Sequence, residues 1–203
     1  ALMDENGQEL KGNQVEGRLC IKFPWPSMAR TIWGNHKRYK ETYFSAFENK
    51  YFTGDGALRD EVGYYRITGR VDDVIIVSGH NLGTAPIEDA INEHPAIAES
   101  AIVGFPHDIK GSALYGYITL KDIGEERNHD NVRKEINQLI SDRIGPIAKL
   151  DKIQITKGLP KTRSGKIMRR ILRKIASNDT SNLGDTSTLL NPECVKEIMN
   201  NSL

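Results

Sequence analysis

The spacing of apolar positions changes character near Val71 and divides the chain into two stretches. Before it, short apolar runs are interrupted by Gly, Pro and aromatic residues. Leu19-Cys20-Ile21-Lys22-Phe23 predicts a strand that stops at Pro24-Trp25-Pro26, since proline has no N–H for a ladder. Residues 36–47 mix polar and aromatic side chains and predict a short helix. Ala57-Leu58-Arg59, a turn over 60–63 and a second run over 64–68 predict a β-hairpin.

Beyond Val71, Val74-Ile75-Ile76-Val77 predicts a strand that runs into a Gly-rich loop, Ser78-Gly79-His80-Asn81-Leu82-Gly83. Thr84 or Ala85 then opens a helix with Pro86 in its first turn, where the missing N–H costs least. Ile87, Ala90 and Ile91 form its apolar side, and it stops at His94-Pro95. Residues 97–105 and 113–120 alternate as two strands. Val132, Ile136, Leu139 and Ile140 make 131–144 an amphipathic helix. A short strand over 153–156 and a basic amphipathic helix over 167–176 follow. The polar stretch after Ser177 predicts one helical turn over 195–199. The order β-α-β-β-α-β-α predicts a small α+β domain over 72–203, preceded by a β-rich segment over 1–71.

Composition narrows the function classes. Among 203 residues, 28 Lys and Arg nearly balance 27 Asp and Glu, so no global basic field points to nucleic acid. The apolar runs are far shorter than the roughly 20 residues that span a bilayer, so no membrane partner is expected. Cys20 and Cys194 lack metal-ligand or redox spacing, which reads as a reduced, cytoplasmic protein. The opening Ala1-Leu2-Met3-Asp4-Glu5-Asn6-Gly7 has no basic n-region or apolar h-region and reads as a chain entered in mid-domain.

Four segments carry candidate chemistry. Tyr51-Phe52-Thr53-Gly54-Asp55-Gly56 sets a carboxylate between glycines. It suits the vicinal hydroxyls of a ribose, although on this motif alone Gly-Asp-Gly reads first as an ordinary turn aspartate. Gly69-Arg70-Val71-Asp72-Asp73 offers a guanidinium fork for phosphate or ribose oxygens, or a surface ion-pair cluster. Adjacent aspartates on an extended backbone point to opposite sides, so one of the two serves locally. Pro160-Lys161-Thr162-Arg163-Ser164-Gly165-Lys166 delivers one ammonium, Lys166, just before a helix. It is not a Walker A loop, which needs Gly at 160 and Ser or Thr at 167. An ammonium there can stabilise charge developing on a carboxylate or phosphate oxygen, or stand in a solvated basic loop. In the following helix, Arg169, Arg170, Arg173 and Lys174 surround an apolar stripe. That pattern predicts packing of the stripe on its own domain with the charges in water. The five histidines have no zinc-ligand spacing.

In this order the segments resemble the adenylate-forming superfamily of acyl-CoA synthetases, luciferases and peptide-synthetase adenylation domains. Pro106-His107-Asp108-Ile109-Lys110-Gly111 and Gly184-Asp185-Thr186-Ser187-Thr188-Leu189 resemble its acetyl-CoA synthetases in particular. The resemblance runs from about Val15 to the end. It implies the β-rich end of a large N-terminal domain, followed by a mobile α+β lid. It also implies a two-step reaction, in which acetate and Mg-ATP give acetyl-adenylate and CoA then displaces AMP. By the same resemblance Asp55 would hold the ribose hydroxyls and Arg70 the ribose and phosphate side of ATP. Lys166 would stabilise the adenylation step, Asp72 would be the hinge, and Ser78 and Gly79 would line the pantetheine path. Asn92, His94 and Ile97, through carbonyls and a histidine, would hold Mg2+. Lys166 matches the lysine that protein acetylation silences in this family, which implies an acetyltransferase and a deacetylase as partners.

Two positions depart from that family pattern. Asn81 stands where an arginine usually meets the nucleotide. Ser141 stands where an arginine usually meets CoA, and Arg143, two residues on, faces another side of the helix. The phosphate loop, adenine pocket and acetate pocket belong upstream of Ala1 in this family, so the chain alone is expected not to catalyse the reaction. Other readings are a propionyl- or other short-chain acyl-CoA synthetase, a non-catalytic module that keeps the fold, and a basic-helix nucleic-acid binder. The last would show steeply salt-dependent affinity.

Overall fold

A computed structural model of the chain describes residues 1–122 and 128–203. It divides into two units, Ala1–Val74 and Ile75–Leu203.

The first unit is built on an antiparallel sheet of four strands: β1 (Leu2–Met3), β2 (Val15–Ile21), β3 (Tyr51–Arg59) and β4 (Tyr65–Arg70), in that spatial order. The β3–β4 hairpin is closed by Asp60, whose carboxylate accepts hydrogen bonds from the backbone N–H groups of Val62 (3.0 Å) and Tyr64 (2.8 Å). Gly63, at φ 97°, supplies the left-handed turn. The helix α1 (His36–Tyr43) starts at Asn35, whose side chain accepts from Arg38 N (3.0 Å). It ends at Tyr43, four residues short of the sequence expectation. Phe47 is instead buried beside Met3 and Cys20, with its ring 5.4 Å from that of Phe52. Burying one large side chain contributes about 1.5–3 kcal/mol, which outweighs one more turn of a weakly amphipathic helix.

The second unit is a mixed sheet with helices on both faces. Its elements are β5 (Ile75–Val77), β6 (His80–Leu82), α2 (Thr84–Asn92), β7 (Ile97–His107), β8 (Gly111–Leu120), α3 (His129–Arg143), β9 (Lys152–Ile155), α4 (Arg169–Ala176) and α5 (Glu193–Asn200). β8 is central. β7 pairs antiparallel along one side of it, from Ile97 opposite Leu120 to His107 opposite Gly111. Its other side takes β5 at Gly111 and then β9, in parallel, over Tyr115 to Ile118. Alternation along β7 and β8 sends Ile102, Leu114 and Ile118 to one face. There they pack with Ile87 and Ile91 of α2 and Val132, Ile136 and Ile140 of α3.

Ala101, Val103, Tyr115 and Tyr117 point to the other face, against Ile171, Leu172 and Ile175 of α4 and Val195 and Ile198 of α5. The Tyr115 and Tyr117 rings stack with centroids 4.5 Å apart. Their hydroxyls donate to Gln154 Oε1 (2.7 Å) and Leu172 O (3.2 Å), so neither buried oxygen is stranded. Burial drives the Tyr117 phenol well above its ordinary range. With helices on both faces, β8 is buried on both sides.

Three expectations change in this unit. The Gly-rich stretch after Val77 is not an open loop: Ser78 and Gly79 form a two-residue turn, and 80–82 return as β6 against β5. The basic helix, α4, begins at Arg169 rather than Ile167, because Ile167 bridges back to Lys161. The single turn expected over 195–199 is a two-turn helix, α5, seated on the sheet through Cys194, Val195 and Ile198. The α+β class holds.

Candidate functional site

The residues singled out in the sequence fall into one group in the first unit and three places in the second. In the first unit, Asp55 lies within β3, directly opposite Arg70 at the end of β4. It is a strand residue, not a turn residue. The Arg70 guanidinium reaches back across the pair: Nη1 donates to Thr53 O (3.1 Å) and to Asp55 Oδ1 (3.5 Å), while Nε donates to Asp72 Oδ1 (3.0 Å). Asp72 and Asp73 sit in a single 3-10 turn, Val71–Asp73, rather than on extended backbone. Arg70 and Asp72 are both well exposed, and ion pairs of this kind add only about 0.2–1 kcal/mol. Their effect is therefore orientation, with the carboxylate of Asp55 and the fork of Arg70 side by side on the strand pair.

In the second unit, Ser78 and Gly79 both have positive φ, 49° and 83°, as a two-residue hairpin turn requires. Ser78 N donates to Lys110 O (3.0 Å), which ties this turn to the β7–β8 connection. The two residues are exposed.

Asn92, His94 and Ile97 span the end of α2 and the start of β7. The His94 ring is committed at both nitrogens: Nε2 lies 3.0 Å from Glu135 Oε2 on α3, and Nδ1 accepts from Ala96 N (3.2 Å). The Asn92 side-chain oxygen accepts from Ser100 Oγ (3.0 Å). The ring and the amide are thus used in packing, and a cation would be left with main-chain carbonyl oxygens. Hard cations take such oxygens, though Mg2+ more often also uses a carboxylate or substrate phosphate. Among the described residues no group of three or more His, Cys, Asp and Glu side chains could hold a metal ion.

Lys166 stands at the returning foot of a small hairpin. Thr162 N donates to Lys166 O (2.9 Å) and Gly165 N to Thr162 O (2.9 Å), with Gly165 at φ 84°. Lys166 N donates to Thr162 Oγ1 (3.1 Å), so the backbone and the side chain of Thr162 both close the loop. This is a three-residue loop with glycine in the left-handed position, which explains the Thr and Gly at this spacing. Lys166 is exposed at its rim.

A further charged residue pairs with the start of the helix that follows this loop. Glu88 is 8% exposed on α2, and Arg169, the first residue of α4, pairs with it through Nε (3.2 Å) and Nη2 (2.5 Å). Glu88 Oε1 also accepts from Ile102 N (2.8 Å). The sequence signal was weak: one acidic residue within the apolar stripe of Ile87, Ala90 and Ile91.

Residues 86–166 match the family model of the AMP-binding enzyme C-terminal domain. Over 98% of its length the chain is 59% identical to the acetyl-coenzyme A synthetase of Alkalilimnicola ehrlichii, and 57% identical to that of Escherichia coli. The chain belongs to the adenylate-forming acyl-CoA synthetases. It corresponds to a C-terminal portion and spans 30% of the length of these curated relatives. The solved acetoacetyl-CoA synthetase from Streptomyces lividans superposes with a TM-score of 0.81 at 22% identity, over 98% of this chain and 30% of that one. At that identity the likeness speaks for the fold. The anthranilate CoA ligase AuaEII, solved with anthranoyl-AMP, superposes with a TM-score of 0.76 at 25% identity, over 89% of this chain and 34% of that one.

Within this acyl-CoA synthetase portion, the family-model match starts in α2 and ends on Lys166. It includes Asn92, His94 and Ile97; Asp55, Arg70, Asp72, Ser78 and Gly79 lie before it. No helix among the described residues is long and apolar enough to cross a membrane.

Proposed function

We propose that this chain is the C-terminal portion of an AMP-forming acetate–CoA ligase, which converts acetate, ATP and CoA to acetyl-CoA, AMP and pyrophosphate through acetyl-adenylate. The observation that carries this reading is the 59% identity to an acetyl-coenzyme A synthetase across 98% of the chain. Adenylation needs positive charge where the carboxylate attacks the α-phosphate. An exposed ammonium at the foot of a short hydrogen-bonded hairpin, Lys166, is suited to supply it. Asp55 and Arg70, side by side on β3 and β4, suit a ribose diol and the neighbouring phosphate oxygens. Asp72, in the 3-10 turn that ends the first unit, is the proposed hinge.

Thioester formation is assigned to the other end of the second unit. Ser78 and Gly79 form an exposed turn with little side-chain bulk, along which an extended pantetheine arm can lie. Exchange of Lys166 for this turn at one reaction centre would let a single site serve two chemistries. Mg2+ enters with ATP, where it neutralises phosphate charge. A second cation is assigned to the carbonyls of Asn92, His94 and Ile97, without the His94 ring. Acetylation of Lys166 would remove the adenylating charge, so a protein acetyltransferase and deacetylase are the proposed regulators. The proposed location is the cytoplasm. The chain by itself is expected to form no acetyl-CoA.

The test is acetate-dependent ATP–pyrophosphate exchange by the full-length parent, unmodified and as Lys166→Ala. Strong exchange that collapses in the variant supports the reading. No exchange with acetate or propionate in the unmodified parent would overturn it in favour of a non-catalytic module, with Asn81→Arg as the first restoration to try. Faster exchange with propionate than with acetate would reassign the acyl substrate.

A further inference from the structure

The Lys166 hairpin has two feet, and each has a charged pair beside it, one to β7 of the sheet and one to α2. The Lys161 ammonium pairs with Glu99 on β7. Lys161 N also donates to Asn191 Oδ1 (3.2 Å), and Leu190 N donates to Lys161 O (2.8 Å), so the C-terminal tail braces this foot. On the Lys166 side the chain enters α4 through Arg169, whose fork closes on Glu88.

The Glu88 carboxylate is not a passing surface group. Its side chain is 10% exposed and that of Arg169 25%, and it joins three elements: α2, which bears it, β7 through Ile102 N, and α4 through Arg169. The apolar stripe of Ile171, Leu172 and Ile175 already holds α4 against the sheet. Apolar packing is non-directional, however, and leaves rotation and sliding of a two-turn helix weakly opposed. A guanidinium fork on a fixed carboxylate opposes both.

We propose that Glu88 and Arg169 are positioning residues: their pair fixes the start of α4 and thereby aims the Lys166 ammonium for adenylation. This rests on the reading of Lys166 as the adenylating lysine. Neither residue is assigned contact with substrate. Thioester formation, assigned to the Ser78 turn, does not depend on the aim of Lys166, so the two half-reactions should separate.

The experiment uses the full-length parent as Glu88→Gln, Arg169→Lys and Lys166→Ala, with each of the first two also combined with Lys166→Ala. Gln keeps the shape and an acceptor for Ile102 N but loses the charge. Lys at 169 keeps a charge beside Glu88 but loses the fork. Acetate-dependent pyrophosphate exchange should fall about tenfold or more in Glu88→Gln, as displacement of a reacting group by about 1 Å can cost a hundredfold. The KM for ATP and the release of acetyl-CoA from supplied acetyl-adenylate and CoA should stay within about twofold of the parent. On the Lys166→Ala background, Glu88→Gln should cause no further loss. If Glu88→Gln does not fold, Arg169→Lys carries the same expectations. The proposal is overturned if the folded variant keeps full exchange, loses both half-reactions equally, or loses exchange additively with Lys166→Ala. A Lys166→Ala parent with undiminished exchange would defeat the role of Lys166 itself and, with it, this proposal.

Discussion

Asp55 and Arg70 face each other in the β3–β4 ladder, and the missing side chain at Gly54 lets the Arg70 guanidinium fold back over the strand. A Cβ at Gly54 would stand 2.5 Å from Arg70 Nη1, and Gly54 has φ 81°. The Gly-Asp pairing thus combines a backbone conformation that side chains resist with room for a neighbouring cation.

Gly54→Ala is accordingly expected to act twice. The left-handed conformation should cost about 1–2 kcal/mol of first-unit stability. The flexible end of Arg70 should swing off Thr53 and Asp55 rather than break the sheet. Chemical denaturation would read the first effect. In the full-length parent, a raised KM for ATP with little change in kcat would read the second. An unchanged KM would separate Arg70 placement from nucleotide binding.

Gly116 on β8 tests the packing of the second unit. An added Cβ would come 2.5 Å from Leu150 Cδ1 and 3.3 Å from Ile102 Cδ1, both buried. Gly116→Ala should destabilise this unit by about 1–3 kcal/mol through overpacking. The loss should appear in denaturant midpoints, while a Cβ at the exposed Gly79 meets nothing within 4 Å, so Gly79→Ala should cost stability through backbone strain and not through overpacking.

The thiol of Cys194 gives a pH prediction. Burial against the sheet, with Glu193 and Glu197 adding like charge, pushes its pKa up from the ordinary value of 9.0 to about 11. The folded state thus holds a proton that the unfolded state gives up above about pH 9. Its contribution to stability is full below pH 9 and declines as pH rises through about 11. Below pH 9, alkylation of Cys194 should be slow in the folded chain and rapid in denaturant. Fast alkylation at pH 8 in the folded chain would contradict the burial of α5 on the sheet.

Asn191 tests whether the tail braces the hairpin. Its amide donates to Leu159 O (2.9 Å) and its oxygen accepts from Lys161 N. Asn191→Ala should cost about 1–3 kcal/mol by leaving partly buried main-chain groups without partners. Trypsin should then cut faster at Lys161, Arg163 or Lys166. Unchanged cleavage would show that Glu99 holds this foot without help from the tail.

Much of this protein could be read before any tertiary contact was known. Period-2 alternation at 97–105 and 113–120, and the spacing of Val132, Ile136 and Ile140, are local signals. They produced β7, β8 and α3 at nearly the expected bounds. Over 160–166 the sequence showed a basic loop presenting Lys166, and the small hairpin that closes it, with Gly165 at positive φ, came from the structure. Resemblance of whole segments supplied the family, which single motifs left open.

What local spacing does not encode is which distant surface each residue meets. The return of 80–82 as β6 depends on an edge of β5 being available for pairing. The end of α1 depends on a hydrophobic site for Phe47 beside Met3 and Phe52. Asp55 looked like a turn aspartate until β4 came alongside it. Glu88 was one acid among many until Arg169, eighty-one residues later, and Ile102 N enclosed its carboxylate. Sequence periodicity determined the elements because backbone geometry repeats over a few residues. Tertiary structure alone decided the pairing of edges and the partners of buried charge, because those energies arise between groups far apart along the chain.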